Sequence, residues 1–206
     1  MLRLWLDPAN ALTSLGLILG ILSIRYAATN QYSVCMITLL LALIVDLIDG
    51  PIARMSKRRT ETHSRFGSQI DSFTDLITTG LVPAVILMSI GDFEPIYLWG
   101  AIAIALASMT RLSYFNLFGL DESGAFRGMP APGNILAIAM VFLFHGFVNS
   151  QSFGLLLYGV VLLCAVLNVA PFRFPKPRPR GIVAIIAFAI FLVFVYIYTI
   201  VDKGIS

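Results

Sequence analysis

Residues 46–75 read DLIDGPIARMSKRRTETHSRFGSQIDSFTD, and the spacing of acids in this stretch decides the architecture. Four carboxylates, Asp46, Asp49, Asp71 and Asp75, lie inside or against long apolar runs. A short basic segment with Lys57, Arg58, Arg59 and Arg65 separates the two pairs. An ionisable group at membrane depth is costly and marks a functional site by default. Residues three or four apart on an α-helix share a face, so Asp46 and Asp49 project together from one helix. Asp71 and Asp75 do the same from the next. An antiparallel pair of helices joined by a short loop turns the two acidic faces toward each other.

Around this stretch the composition belongs to a membrane protein. Of 206 residues, 58% are hydrophobic and only 12% charged, with a mean hydropathy of +0.89. Soluble domains carry about twice that charge fraction. The apolar runs are too long for barrel strands, so the expected fold class is all-α, a polytopic membrane helix bundle. No linker or low-complexity tract divides the chain, and residues 1–206 are expected to form one domain. The formal charge of +3 reads as loop bias rather than as a nucleic-acid surface. Cys35 and Cys164 sit in separate apolar runs without a Cys/His grouping, which predicts buried thiols rather than a disulfide or zinc site. MLRLWLDP at the start lacks a cleavage-site pattern and is read as a short interfacial helix.

Seven apolar spans are expected, at 9–28, 32–55, 66–90, 96–117, 133–148, 153–170 and 182–201. Each is near the ~20 residues that a bilayer core requires. Arg3, the 57–65 group, Arg127, and the cluster of Arg173, Lys176, Arg178 and Arg180 fall on one side. The linkers at 29–31, 91–94 and 149–151 have no Lys or Arg; Arg25, near the far end of the first span, runs against the bias. The positive-inside rule puts the basic loops, and with them both acidic pairs, on the cytoplasmic side.

Four carboxylates converging in a low-dielectric site need positive charge, and one arginine is insufficient. All-oxygen ligation favours Mg²⁺, Mn²⁺ or Ca²⁺, and four shared carboxylates can hold two ions in an arrangement suited to phosphate transfer. Gly50 and Ala53 keep the helix surface low beside Asp49, Arg54 can fork a phosphate oxygen, and Gly67 leaves a matching gap on the facing helix. Each glycine alone is equally consistent with close helix packing.

The pattern Asp46-x2-Asp49-Gly50-x2-Ala53-Arg54, followed by Gly67-x3-Asp71-x3-Asp75, resembles the signature of the CDP-alcohol phosphotransferases. The spacer departs from it. Twelve residues separate Arg54 from Gly67, a few more than the commonest form, and the surplus is expected to lengthen a polar turn around TETHSR. Within the family, three features are similar to the members that make phosphatidylserine: Asp71-Ser72-x2-Asp75 leading into Gly80-x2-Pro83-Ala84, Arg111-Leu112-x2-Phe115-Asn116, and Gly128-Met129-Pro130-Ala131-Pro132. Asn10-Ala11-Leu12-Thr13-x2-Gly16 is similar to the family's first helix.

The resemblance implies attack of an alcohol oxygen on the lipid-side phosphorus of CDP-diacylglycerol, with CMP leaving. It implies Asp46, Asp49, Asp71 and Asp75 as ligands of two divalent cations, Mg²⁺ or Mn²⁺, and Asp75 as general base. Asp49, Gly50, Ala53, Arg54 and Gly67 would hold the CDP moiety. L-serine is the implied acceptor, with Arg111, Asn116 and Arg127 as candidates for its site. A homodimer in a prokaryotic cytoplasmic membrane, its active site facing the cytoplasm, is also implied. Three other readings stand beside it: the same chemistry on glycerol 3-phosphate or inositol phosphate, a cation transporter with the acids as its pathway, and a prenyl-transferring enzyme. His63 is expected to be solvated, His145 to lie away from the cluster, and FLVFVYIY near the C-terminus to face lipid.

Overall fold

Asp7 caps the first helix, accepting the backbone N–H of Asn10, and Pro8 supplies the preset φ that a first helical turn tolerates. In this computed structural model, which describes residues 4–5, 7–56 and 59–202, α1 runs Pro8–Ala28 and α2 Tyr32–Met55. The next span is continuous from Glu61 to Ile90: α3 (Glu61–Leu76), a π-helical turn (Ile77–Leu81) and α4 (Val82–Ile90). Then come α5 (Pro95–Phe118), strand β1 (Ala125–Arg127), α6 (Pro132–Phe142), α7 (Ser150–Val169), strand β2 (Arg173–Pro175) and α8 (Pro179–Asp202). Among the described residues, six helical segments are long and apolar enough to cross a membrane, and α6 is a shorter apolar helix.

The expected bundle is therefore present, with three differences. The span placed at 133–148 is regular only to Phe142, after which tighter i→i+3 bonds carry the chain on, among them His145 N–H to the Phe142 carbonyl. The residues TETHSR do not lengthen a turn. Thr60 caps α3, accepting the N–H of His63, and Glu61 to Arg65 are already helical, so the surplus extends α3 at its start and leaves a short α2–α3 connection. The third difference is a small antiparallel pairing of β1 with β2. The expected N-terminal interfacial helix falls partly outside the described residues, as do Arg3, Lys57 and Arg58.

Inside a bilayer helices gain little from hydrophobic contrast and associate through close packing and polar bonds. Gly16 and Gly20 of α1 do this against the π-helical span: a Cβ on Gly20 would stand 3.0 Å from Thr78 Cγ2. Ser23 and Thr38 hydroxyls bond at 2.8 Å between α1 and α2. The apolar core gathers Leu39 and Leu43 of α2, Leu87 of α4, Ile104 of α5, Ile138 of α6 and Phe153 of α7, all buried. Cys35 and Cys164 are buried free thiols.

The π-turn has a clear cause. Pro83 has no N–H, so the Thr79 carbonyl loses its helical donor. Ser108 Oγ (3.1 Å) and Asn134 Nδ2 (2.9 Å) donate to it instead, and the Val82 N–H reaches back to Ile77.

Candidate active site

Asp46 and Asp49 lie in the C-terminal half of α2, and Asp71 and Asp75 in the C-terminal half of α3. Pro51 lies inside α2, two residues after Asp49, and removes one ladder bond beside the carboxylates. Across the gap, Asp46, Asp49 and Asp71 each offer a carboxylate oxygen within 4.8 Å of the other two. Oxygens bound to one hard cation at about 2.0–2.6 Å lie up to about 4–5 Å apart, so this donor set fits such an ion. Among the described residues none of the three forms an ion pair with Lys or Arg, which leaves their charge to be met from elsewhere. Asp75, one turn deeper, meets the Asp46 side chain, and the Arg111 charge is felt at Asp75.

One neighbour of the cluster was not legible as such. Thr13 Oγ1 of α1 donates to Asp49 Oδ2 at 2.7 Å and fixes one carboxylate oxygen, leaving the other to a ligand. Its sequence signal was the Asn10-to-Gly16 resemblance, which gave no role. Thr13→Val keeps the shape and removes the donor; it is expected to cost on the order of tenfold in transfer rate and in apparent Mg²⁺ affinity, read from a metal titration of activity.

Beside the triad opens a cleft of ≈ 270 Å³ lined by Thr13, Asp49, Gly50, Ala53, Arg54, Arg59, Gly67 and Asp71, among others. The proposed CDP residues thus face one space. Gly50 is not a packing glycine: a Cβ there would meet only Arg54 Nη1, at 3.7 Å, so its bareness serves the open cleft. Gly67 has the opposite surroundings, with Asn10 Oδ1 and Arg59 Nη2 where a Cβ would stand. His63 belongs to the first turn of α3, half-buried, its ring 2.6 Å from Thr60 Oγ1.

A second cavity, ≈ 230 Å³, lies between α5, α7 and β1, lined by Arg111, Arg127, Tyr114, Thr110 and Asn168 and by residues 169–171. Arg111 is 8% exposed, which places it inside the bundle rather than among lipids. Its Nε donates to the Met129 carbonyl, and the guanidinium stands 5.7 Å from the Phe126 ring centroid. The Gly128–Pro132 turn is stitched by the Gly128 N–H to Phe172 and the Met129 N–H to Leu167, each 2.9 Å. Asp121 shapes the preceding loop; hydrogen bonds from the Ser123 hydroxyl and the Ala125 N–H hold its carboxyl below the usual range, and Arg173 Nε stands 3.1 Å away. Asn116 stands apart from this cavity's lining: exposed on α5, it donates to Ser72 Oγ of α3 at 2.9 Å.

His145 packs among the rings of Tyr32, Phe142 and Phe153, away from the acids. In the last helix Phe191, Phe194 and Tyr198 are exposed, as expected for lipid contact. Leu192 and Tyr196 turn inward, and the Tyr196 hydroxyl donates to the Ala139 carbonyl. Asp46, Asp49 and Asp71 converge on one point, with Asp75 one turn deeper beside Asp46, rather than standing along a path through the bundle as a transporter reading would require.

Comparison with known proteins agrees with the cluster. Residues 6–198 match the family model described as CDP-alcohol phosphatidyltransferase. A CDP-diacylglycerol–serine O-phosphatidyltransferase of Helicobacter pylori J99 is 30% identical over 183 residues, covering 84% of this chain and 73% of the relative. One of that name from Methanocaldococcus jannaschii is 29% identical over 188 residues, 91% of this chain and 83% of the relative. An archaetidylserine synthase of Methanothermobacter thermautotrophicus is 31% identical over 164 residues, 79% of this chain and 66% of the relative. With its signature carboxylates converging and its length matched almost end to end, the chain belongs to the CDP-alcohol phosphatidyltransferase family and is an enzyme of that class.

Proposed function

We propose that the protein transfers the phosphatidyl group of CDP-diacylglycerol to the hydroxyl of L-serine, giving phosphatidylserine and CMP. The observation that carries this reading is the convergence of Asp46, Asp49 and Asp71 at the edge of the cleft that Gly50, Ala53, Arg54 and Gly67 line. In this reading the cytidine diphosphate lies in the cleft, with its diphosphate toward the acids and Arg54 forking a phosphate oxygen. Asp46, Asp49 and Asp71 would hold divalent cations, two in number and Mg²⁺ or Mn²⁺ in kind, with Asp75 reaching the second. Such ions supply charge neutralisation at the diphosphate and leaving group when bound.

Serine enters from the cavity of Arg111 and Arg127, whose cations suit its carboxylate. Its oxygen attacks the lipid-side phosphorus, the bond from that phosphorus to the bridging oxygen of CMP breaks, and Asp75 receives the hydroxyl proton. Arg111 lines the serine cavity and its charge acts on Asp75, which supports an acceptor arriving next to the base.

The catalytic unit is taken as residues 1–206, a homodimer in a prokaryotic cytoplasmic membrane with the acids toward the cytoplasm. The basic residues at the acidic end of the bundle support that orientation, and bacterial and archaeal relatives support the source.

Purified protein given CDP-diacylglycerol and Mn²⁺ or Mg²⁺ is expected to place labelled serine in lipid with one CMP released per turnover. It is expected to leave labelled glycerol 3-phosphate in the aqueous phase. A second reading, a phosphorylated alcohol as acceptor, is favoured by one observation, the presence of two arginines in a single cavity. Incorporation of glycerol 3-phosphate without serine would select it.

A further inference from the structure

We propose that Arg59, carried by the α2–α3 connection, is a phosphate-gripping residue of the nucleotide cleft, held ready by Asp7 and Asn10 of the first helix. This rests on the reading of the cleft as the CDP site. Arg59 lies among the twelve residues between Arg54 and Gly67, the segment longer than the commonest family pattern, so the pattern itself assigns it nothing. It nevertheless lines the cleft with Asp49, Gly50, Arg54 and Asp71.

Three features distinguish it from a solvated loop cation. Its side chain is 13% exposed, whereas that of Arg65, on the first turns of α3, is 81% exposed and pairs with Glu61 on its own helix. It is also aimed: Nη2 donates to Asn10 Oδ1 at 3.1 Å, while Asn10 Nδ2 is itself committed to the carbonyls of Leu4 (2.8 Å) and His63 (3.4 Å). Gly67 makes room for this arrangement, since a Cβ there would overlap both Asn10 and Arg59. Finally, Arg59 is incompletely matched. Asp7 Oδ2 stands 3.7 Å from Nε, beyond hydrogen-bond length, and Nε is buried without a hydrogen-bond partner.

A buried guanidinium is stable when its donors meet anionic oxygens, and a single carboxylate at 3.7 Å leaves that need unmet. The open side of the group faces a cleft whose bound diphosphate would supply those oxygens. Arg54 is exposed at the rim and Arg59 shielded behind it; together they would bracket the phosphate chain from two sides.

The test titrates the purified full-length protein with CDP and with cytidine at saturating Mg²⁺, alongside thermal unfolding. Arg59→Gln is expected to weaken CDP on the order of tenfold or more while moving cytidine by less than about twofold. Arg59→Lys is expected to regain part of the loss, as a point charge does for a fork. Asp7→Asn keeps the helix cap and removes the competing carboxylate, and CDP affinity is expected to hold or rise.

If Arg59→Gln and Asp7→Asn instead lower the unfolding temperature together and weaken CDP and cytidine by a common factor, Arg59 is only a staple for the first helix. Unchanged CDP binding in Arg59→Gln likewise overturns the proposal while leaving the cleft's assignment intact. Wild-type protein that binds no CDP overturns the assignment itself.

Discussion

Asp46→Asn, Asp49→Asn and Asp71→Asn are each expected to lower phosphatidyl transfer by on the order of 10³-fold or more, with the protein still folded. Asn preserves the volume and one oxygen but removes the charge that a hard cation needs. Because the three acids have no ion-pair partner among the described residues, their loss leaves no orphaned protein cation behind, and unfolding temperatures are expected to stay level or rise in metal-free buffer. Added Mg²⁺ is expected to stabilise the wild type and not the variants, as follows from preferential binding to the folded state. Transfer rates, together with unfolding scans with and without chelator, check both halves. A variant that keeps full rate, or a wild type indifferent to chelator, would remove the metal site from the mechanism.

Gly128→Ala is expected to be the most damaging single methyl group on the acceptor side. Gly128 has φ +74°, where an L side chain costs about 1–2 kcal/mol. Its Cβ would also lie against the Asn168 backbone carbonyl, and backbone cannot rotate aside as a flexible side chain can. Relief means moving the C-terminal end of α7 away from the turn, at the expense of the bonds from Gly128 and Met129 to Phe172 and Leu167.

We expect a total loss of about 2–4 kcal/mol in stability. Because Arg111, Arg127 and Asn168 line the cavity beside that turn, the KM for the proposed acceptor, serine, is expected to rise by about tenfold or more, with the KM for the proposed donor, CDP-diacylglycerol, moving far less. Gly124→Ala is the control: its φ is also +74°, but nothing stands within 4 Å of its Cβ. It is expected to show only the backbone cost.

Much of this molecule can be read from one stretch of chain because membrane depth makes charge informative. Each acid inside an apolar run must be answered by something, and helical spacing alone assigns Asp46 and Asp49, or Asp71 and Asp75, to a face. Helix periodicity and loop charge likewise deliver the bundle. What stayed hidden depends on contacts between distant segments. Thr13 reaches Asp49 across 36 positions, and Arg59 reaches Asn10 across 49; neither pairing has a local period. α3 starts five residues before its apolar run, at a stretch whose polar residues resemble a loop, although Thr60 followed by Glu61 is an ordinary cap and first turn. The β1–β2 pairing joins two three-residue segments too short to carry alternation. For Asn116 the family motif marked a position but not a direction, and its side chain turns to Ser72.

The π-helical turn between α3 and α4 bears on how this chain tolerates change. A regular helix advances by about 100° per residue, so one extra residue in a turn re-phases everything beyond it. The angular setting of Asp71 and Asp75 is thereby uncoupled from that of Leu87 and its packing partners farther along the same span. Substitutions that re-pack the distant half can be absorbed at the joint without swinging the carboxylates. Conversely, excising one residue from Ile77–Leu81 would leave every side chain outside the joint in place while dialling the two halves out of step. The Thr79 carbonyl, tethered by Ser108 and Asn134, is the detent that holds the setting.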